Sequence, residues 1–288
     1  MDSLLVVLFS AATSIATLLI ASIGLAVIFG LMRIINMAHG EFLMIGAFAT
    51  VMLVRALGLP VLVAAAGGAL AAALLGLIVE LVLIRPLYGR RLVDTLLVTF
   101  GLSLVLFQLA VNIFGTTSPG ISTPFGAVTI GEYSVSVYSL FLIPIAALLM
   151  LVVYLVFTRT KYGLLARAAA QNPEMASALG VDARKINKLT FMLGAALAGL
   201  GGGLLAPIVA VSPGMGQSYI GQAFMTVITG GQAFLLGTLA SAAALGGVQN
   251  IVAQLVTTFW GLAALFLTSI VILRFMPEGL SARWKRQL

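Results

Sequence analysis

From Leu189 to Leu273 the chain contains no Asp, Glu, Lys or Arg. A stretch of that length cannot coat a water-soluble domain, where about a quarter of the residues are charged. Across all 288 residues, 61% are hydrophobic types and 8% are charged. This composition excludes an ordinary soluble enzyme, a nucleic-acid binder and a disordered chain. In hydrocarbon every backbone amide must be satisfied inside the protein, which leaves helices and closed barrels. Strands facing lipid would alternate apolar and polar residues, whereas this chain has long unbroken apolar runs. The expected fold is all-α, a polytopic integral membrane protein.

A helix crosses the bilayer with ~20 apolar residues. Eight apolar segments meet that length approximately: 4–31, 42–57, 61–84, 93–113, 138–158, 189–211, 222–248 and 251–273. The first begins after Asp2 with no early Lys or Arg and is longer than a signal-peptide core, so it reads as a retained span. Connections are short except 114–137, which carries Glu132, and the charge-rich 159–188. The whole of 1–288 therefore reads as a single transmembrane domain with one substantial loop at about 159–188. Basic residues form three clusters: Arg85, Arg90 and Arg91; Arg159, Lys161, Arg167, Arg184, Lys185 and Lys188; and Arg274, Arg283, Lys285 and Arg286. Lys and Arg stay on the cytoplasmic side. All three clusters are expected there, with the N-terminus and 114–137 outside. The net charge of +7 is thus a topology signal, and no nucleic-acid partner is expected.

The last third breaks this arithmetic. Both of its basic flanks should be cytoplasmic, which demands an even number of crossings, yet it holds three apolar segments. One of them should be re-entrant or broken. The best candidate is 222–248, where Thr229-Gly230-Gly231-Gln232 and Gly237-Thr238 weaken helix continuity. Irregular backbone at membrane depth survives only inside protein or beside a wet cavity, which suggests a translocation path. The competing view is an ordinary helix with packing glycines. Gly68, Ala72 and Gly76, and Gly199 and Gly203, fall at spacing four, the pattern that lets helices approach closely.

Little here can carry chemistry. There is no cysteine, and His39 is the only histidine. Neither a two-His metal site nor a GxSxG elbow nor a GxxxxGK[ST] phosphate loop occurs. The chain is expected to be no enzyme and to hold no cofactor of its own. If transport is ATP-driven, the ATP is used by partner subunits. Three polar groups remain. The first is Arg33-Ile-Ile-Asn36-Met-Ala-His39-Gly40-Glu41-Phe42. A charge at bilayer centre costs ~2.5–3.5 kcal/mol on insertion scales, so these side chains must be paired, interfacial or wet. Asn36, His39, Gly40 and Glu41 are candidates for a bent element beside a path. They could equally form an interfacial turn, with Glu41 favouring the start of the next helix. The second group is the 159–182 stretch. Leu164–Ala170 is helix-prone; Asn172, Pro173 and Glu174 read as N-cap, N1 and N2 of a second short helix that Gly180 ends. Such a helix could dock into a soluble partner. The third is a set of neutral polar residues: Gln217, Ser218, Gln222, Thr226, Thr229, Gln232, Thr238, Gln249, Asn250 and Gln254. These suit an uncharged hydrogen-bonding solute, or simple interhelical bonding at ~0.6 kcal/mol each.

At these residues the chain resembles the membrane permease of bacterial ABC importers for branched-chain amino acids and urea. Gly30-Leu-Met-Arg-Ile-Ile-Asn36-Met-Ala-His39-Gly40-Glu41-Phe42 is similar to that family's amino-terminal signature. Gln171-Asn-Pro-Glu-Met-Ala-Ser-Ala-Leu-Gly180 resembles its coupling loop, with Met175 in place of the usual first Ala. Gly230-Gly231-Gln232 through Gly237-Thr238 is similar to its Gly-rich segment. Arg85–Leu97 and Pro213–Tyr219 look most like the urea or short-amide branch. The resemblance implies a permease of the bacterial inner membrane with a cytoplasmic C-terminus. It would pair with a second related permease or a second copy, two cytoplasmic ATPases and a periplasmic binding protein. It would move urea, a short amide or branched-chain amino acids by alternating access. Arg167, Asn172, Glu174, Met175, Ala176 and Gly180 would form the ATPase-coupling loop, and Thr229–Gln232 with Asn36–Glu41 the pathway or hinge. Two other readings compete. A passive channel for a small neutral solute such as urea would leave the 159–188 loop merely structural. A secondary transporter would need ionisable groups in the membrane, which the last third lacks.

Overall fold

The computed structural model describes residues 2–116, 120–130 and 133–282. Glu132 and, from the third basic cluster, Arg283, Lys285 and Arg286 lie outside the described residues. The elements in chain order are α1 (Asp2–Met32), α2 (His39–Leu57), α3 (Val61–Val79), α4 (Leu92–Phe114), β1 (Ala127–Ile130), β2 (Tyr133–Ser136), α5 (Val137–Arg159), α6 (Lys161–Gln171), α7 (Pro173–Ala178), α8 (Ala183–Leu205), α9 (Met215–Gly230), α10 (Phe234–Leu255) and α11 (Thr258–Phe275). A π-helical turn, Glu80–Ile84, and a 3-10 turn, Arg85–Leu87, prolong α3. Among the described residues, eight helices are long and apolar enough to cross a membrane, in keeping with the polytopic all-α expectation.

The last third differs in detail from its sequence reading. The 222–248 segment is not one interrupted span. Its first part ends α9, the chain reverses over 231–233, and its second part opens α10. Gly231 takes φ 81°, a left-handed conformation that costs glycine little. Four helices, α8 to α11, therefore replace three apolar segments; α8, α10 and α11 are long enough to span, and the even number demanded by the basic flanks requires α9 to cross as well. At 16 residues α9 is ~24 Å long at 1.5 Å per residue, short for a span. The 189–211 segment also shifts. Its helix starts at Ala183, because the Asp182 side chain accepts the Lys185 N–H at 3.0 Å and caps it. Inside the 114–137 loop, β1 and β2 form an antiparallel hairpin pairing Ala127 with Ser136 and Val128 with Val135.

The chain forms two compact units. One comprises Ile23–Ile121 and Met150–Ile220, the other Met1–Ser22, Ser122–Leu149 and Gly221–Leu288. In the first, α2, α3 and α8 pack tightly on one another. The small-residue pattern is the reason. Gly68, Ala72 and Gly76 are all buried on α3. A side chain at Gly199 would meet the Ala72 methyl and lie 2.7 Å from the Gly68 carbonyl, and one at Gly46 would run into the Gly199 backbone. Three helices thus touch backbone to backbone, where dispersion replaces the hydrophobic drive that lipid removes. In the second unit Leu18, Leu245 and Leu265 make a buried cluster against Met225, Phe266 and Ile272. There the end of α9 runs antiparallel to α10. Gln249 Nε2 lies 3.5 Å from Gln222 Oε1, and Gly230 sits against Gly237.

Candidate functional site

The amino-terminal signature is a break between two helices. After α1 the backbone turns at Arg33, whose φ is 53°, and runs non-helically to Ala38. Helix α4 holds this segment through one hydroxyl: Thr99 Oγ1 accepts the Met37 N–H at 3.0 Å and lies 3.1 Å from the Ile35 carbonyl. Asn36 is fully buried. Its Oδ1 accepts the Ala38 N–H at 3.1 Å, and its Nδ2 has no partner among the described residues. His39, Gly40 and Glu41 form the first turn of α2, so Gly40 is not a bend. Its missing side chain instead admits the backbone of Gly216. Glu41 is 1% exposed, and its Oε1 accepts the Ser103 hydroxyl at 2.9 Å. Oε2 has no partner among the described residues. Arg33 is exposed. The element is therefore a buried polar kernel, with Asn36 and Glu41 each keeping one unsatisfied atom.

In the other unit, Thr229, Gly230 and Gly231 form the reversal between α9 and α10. Thr229 is buried with an unpartnered hydroxyl among the described residues, whereas Gln232 is exposed. The chain beyond α11 straps this turn. A side chain at Gly231 would strike the Glu278 carbonyl, and the Ala233 N–H donates to Ser281 Oγ at 2.9 Å.

The 159–188 loop is built as its sequence suggests. Thr160 Oγ1 accepts the Gly163 N–H at 3.1 Å and starts α6. Asn172 ends α6 and caps α7, its Oδ1 accepting the Met175 N–H at 2.9 Å. Gly180, at φ 84°, closes α7 while the Val181 N–H returns to the Ala176 carbonyl at 3.0 Å. Ala176 is turned inward and buried. Glu174 and Arg167 are exposed, as are Met175 at 59% and Leu179 at 79%. The α6 residue Tyr162 ties the loop to α8, its hydroxyl 2.7 Å from Thr190 Oγ1. Burial pushes that phenol above its ordinary range, opposed by the Thr190 bond. With Leu164 and Leu165 of α6 also exposed, the loop presents large apolar side chains beside charges, a surface suited to a protein partner.

A family model described as the permease component of branched-chain amino acid transport systems matches residues 7–275. This chain belongs to that family. The permease is 27% identical to the high-affinity branched-chain amino acid transport system permease protein LivH of Salmonella typhimurium, over 96% of this chain and 94% of that one. It is 29% identical to BraD of Pseudomonas aeruginosa, named as the same kind of permease protein, over 93% and 92%. It is 26% identical to a probable LivH of Methanocaldococcus jannaschii, over 93% and 90%. No solved structure matches the chain. Membership makes the permease a transport subunit and not an enzyme, and it leaves the passive-channel reading without an observation behind it.

Two features of the permease escaped the sequence. Thr95, Thr99 and Ser103 are buried on α4; Thr99 holds the amino-terminal break, and Ser103 bonds Glu41 at the start of α2. Their spacing of four was the available signal. Glu80 is fully buried, and its Oε1 accepts the Tyr88 hydroxyl at 2.6 Å. Burial first, then the Glu80 carboxylate, push the Tyr88 phenol well above its ordinary range, so it stays a donor. Glu80 is the only charge in the 61–84 run, which by itself marks it as functional or paired.

Proposed function

We propose that this permease is the membrane subunit of an importer that carries branched-chain amino acids from periplasm to cytoplasm, driven by ATP hydrolysis in partner chains. The observation that carries the reading is the alignment of relatives named for that transport along more than nine-tenths of the chain. The N-terminus and the β1–β2 hairpin would face the periplasm, and the basic clusters and C-terminus the cytoplasm. Two ATPases would grip α6 and α7 through Arg167, Glu174 and Met175. Asn172 and Gly180 would hold that handle in shape and Ala176 would pack it onto the body. A second permease or a second copy would complete the membrane part, and a periplasmic binding protein would deliver the solute. No cofactor is assigned to this chain. Closure of the ATPases would pull the handle and bias two-state elements in the body. The backbone would yield at the break over 33–38, which holds Asn36 and leads into His39, Gly40 and Glu41 at the start of α2, and at the reversal at Thr229, Gly230, Gly231 and Gln232.

The test is uptake into proteoliposomes holding the permease with the ATPases and binding protein of its own system. ATP-dependent accumulation of leucine, isoleucine or valine is expected. Accumulation of urea or acetamide with no leucine would overturn the substrate, and flux unchanged without ATP would overturn the importer. Charge reversal by Glu174→Lys or Arg167→Glu should reduce ATPase co-purification at least ~tenfold, the scale of one lost charged contact at an interface. Retention at the parental level in both variants would remove the handle.

A further inference from the structure

Helices α3 and α8 leave a groove along one side that changes character along its length. At one end, Arg85, Arg184, Lys185 and Lys188 surround a cavity of about 430 Å3 with Glu80 and Asp182. Four cations against two carboxylates leave this cavity with an excess of positive charge. Asp182 caps α8, and Glu80 accepts from Tyr88. None of the four cations has an ion-pair partner among the described residues. Further along the same two helices lies a cavity of about 370 Å3 lined by Ala73, Tyr162, Leu189, Met192, Leu193 and Ala196. The two cavities share a face. On α8, residues 184, 185 and 188 and residues 189, 192, 193 and 196 fall on adjoining sectors of one half of the helix at 100° per residue, and Ala73 on α3 and Glu80 in its π-helical continuation are two turns apart on one side. Exposed Leu70, Leu74 and Ile78 flank the groove on α3, the surface a lipid-facing helix shows.

We propose that this groove is a binding site for one anionic phospholipid. The phosphate lies among Arg85, Arg184, Lys185 and Lys188. An acyl chain follows Leu189, Met192 and Leu193. Basic pockets between membrane helices bind anionic headgroups in this manner, and the cavity volumes fall in the range of small-molecule sites. A free phosphate would satisfy only the cationic end. The lipid also ties the root of the 159–188 loop to the bilayer, since α8 begins inside the site.

Native mass spectrometry of the purified full chain in neutral detergent tests this. Phosphatidylglycerol and phosphatidylethanolamine of identical acyl chains are titrated separately. One phosphatidylglycerol should be retained, roughly tenfold more tightly than phosphatidylethanolamine. The double variant Lys185→Gln/Lys188→Gln should weaken retention about thirtyfold, at roughly fivefold for each cation near a lipid phosphate. Ala196→Trp, which fills the apolar cavity, should weaken it without changing charge. Arg91→Gln, which removes a charge from the first basic cluster but outside the cavity, should leave it unchanged. Arg85→Gln reads the same loss if the double variant does not fold. Equal retention of both lipids overturns the proposal, as does displacement by glycerol phosphate at the same concentration, which makes it a phosphate site. Undiminished lipid with loss of the ATPases in Lys185→Gln/Lys188→Gln would assign the cleft to a protein contact instead and equally overturn it.

Discussion

Glu41 shows how a single carboxylate can be held in a membrane protein. An unpaired buried charge costs several kcal/mol, so the side chain needs either a proton or a donor. Ser103 supplies one donor at 2.9 Å, and the second oxygen has none among the described residues. Removing the donor leaves both oxygens bare. Ser103→Ala should therefore cost about 1–3 kcal/mol, read as a lower midpoint of thermal unfolding in detergent. Glu41→Gln keeps an acceptor for Ser103 and can add a donor, so it should cost less than Glu41→Leu, which strands the hydroxyl. If all three variants unfold together with the parent, the pair has no structural weight. Gly40, one residue earlier, was read as a bend and is a contact. Its helical neighbours were legible in the sequence, but the Gly216 backbone that requires it lies far along the chain, and no local pattern encodes that approach.

At the scale of elements, caps were the most readable feature. Asn172, Pro173, Glu174 and Gly180 place α7 to the residue, because capping is a local exchange of hydrogen bonds. The sequence located the break near Gly231 for the same reason: glycine pairs weaken a helix wherever they stand. It did not show that the chain reverses there. That depends on the strap at Glu278–Ser281 and on α9 pairing with α10, both non-local. The hairpin at 127–136 was missed because two four-residue strands give a weak alternation beside 20-residue apolar runs. The cap yields a prediction. Asn172→Ala removes the bond to the Met175 N–H and should cost α7 about 1 kcal/mol. Hydrogen exchange over 173–179 should rise severalfold while the unfolding midpoint of the membrane helices holds. Weakened ATPase co-purification should accompany it. An unchanged exchange rate would mean that packing of Ala176 and not the cap fixes the handle.

For the whole molecule the decisive quantity is where charge is missing. Absence of charge from 189–273 and clustering of Lys and Arg elsewhere fixed the class of fold before any helix was placed, since bilayer energetics act on composition over tens of residues. The same arithmetic asks for an even number of crossings after the 159–188 loop, which α8, α10 and α11 reach only with α9 as a fourth. The C-terminus is cytoplasmic if α9, at 16 residues, crosses, and it changes sides if α9 dips into the membrane and returns on the side it entered. Single cysteines can separate the two cases without background, because the chain has none. Glu174→Cys and Glu278→Cys, on the loop and on the strap after α11, should both react with an impermeant maleimide only when it reaches the cytoplasmic face. Thr123→Cys, ahead of the hairpin, should react only from outside. Glu278→Cys labelled from outside, with Glu174→Cys still labelled from inside, would make α9 re-entrant and leave three crossings in the uncharged third. The positive-inside reading of Arg274 would then be wrong, and the strap would close the hinge from the periplasmic side.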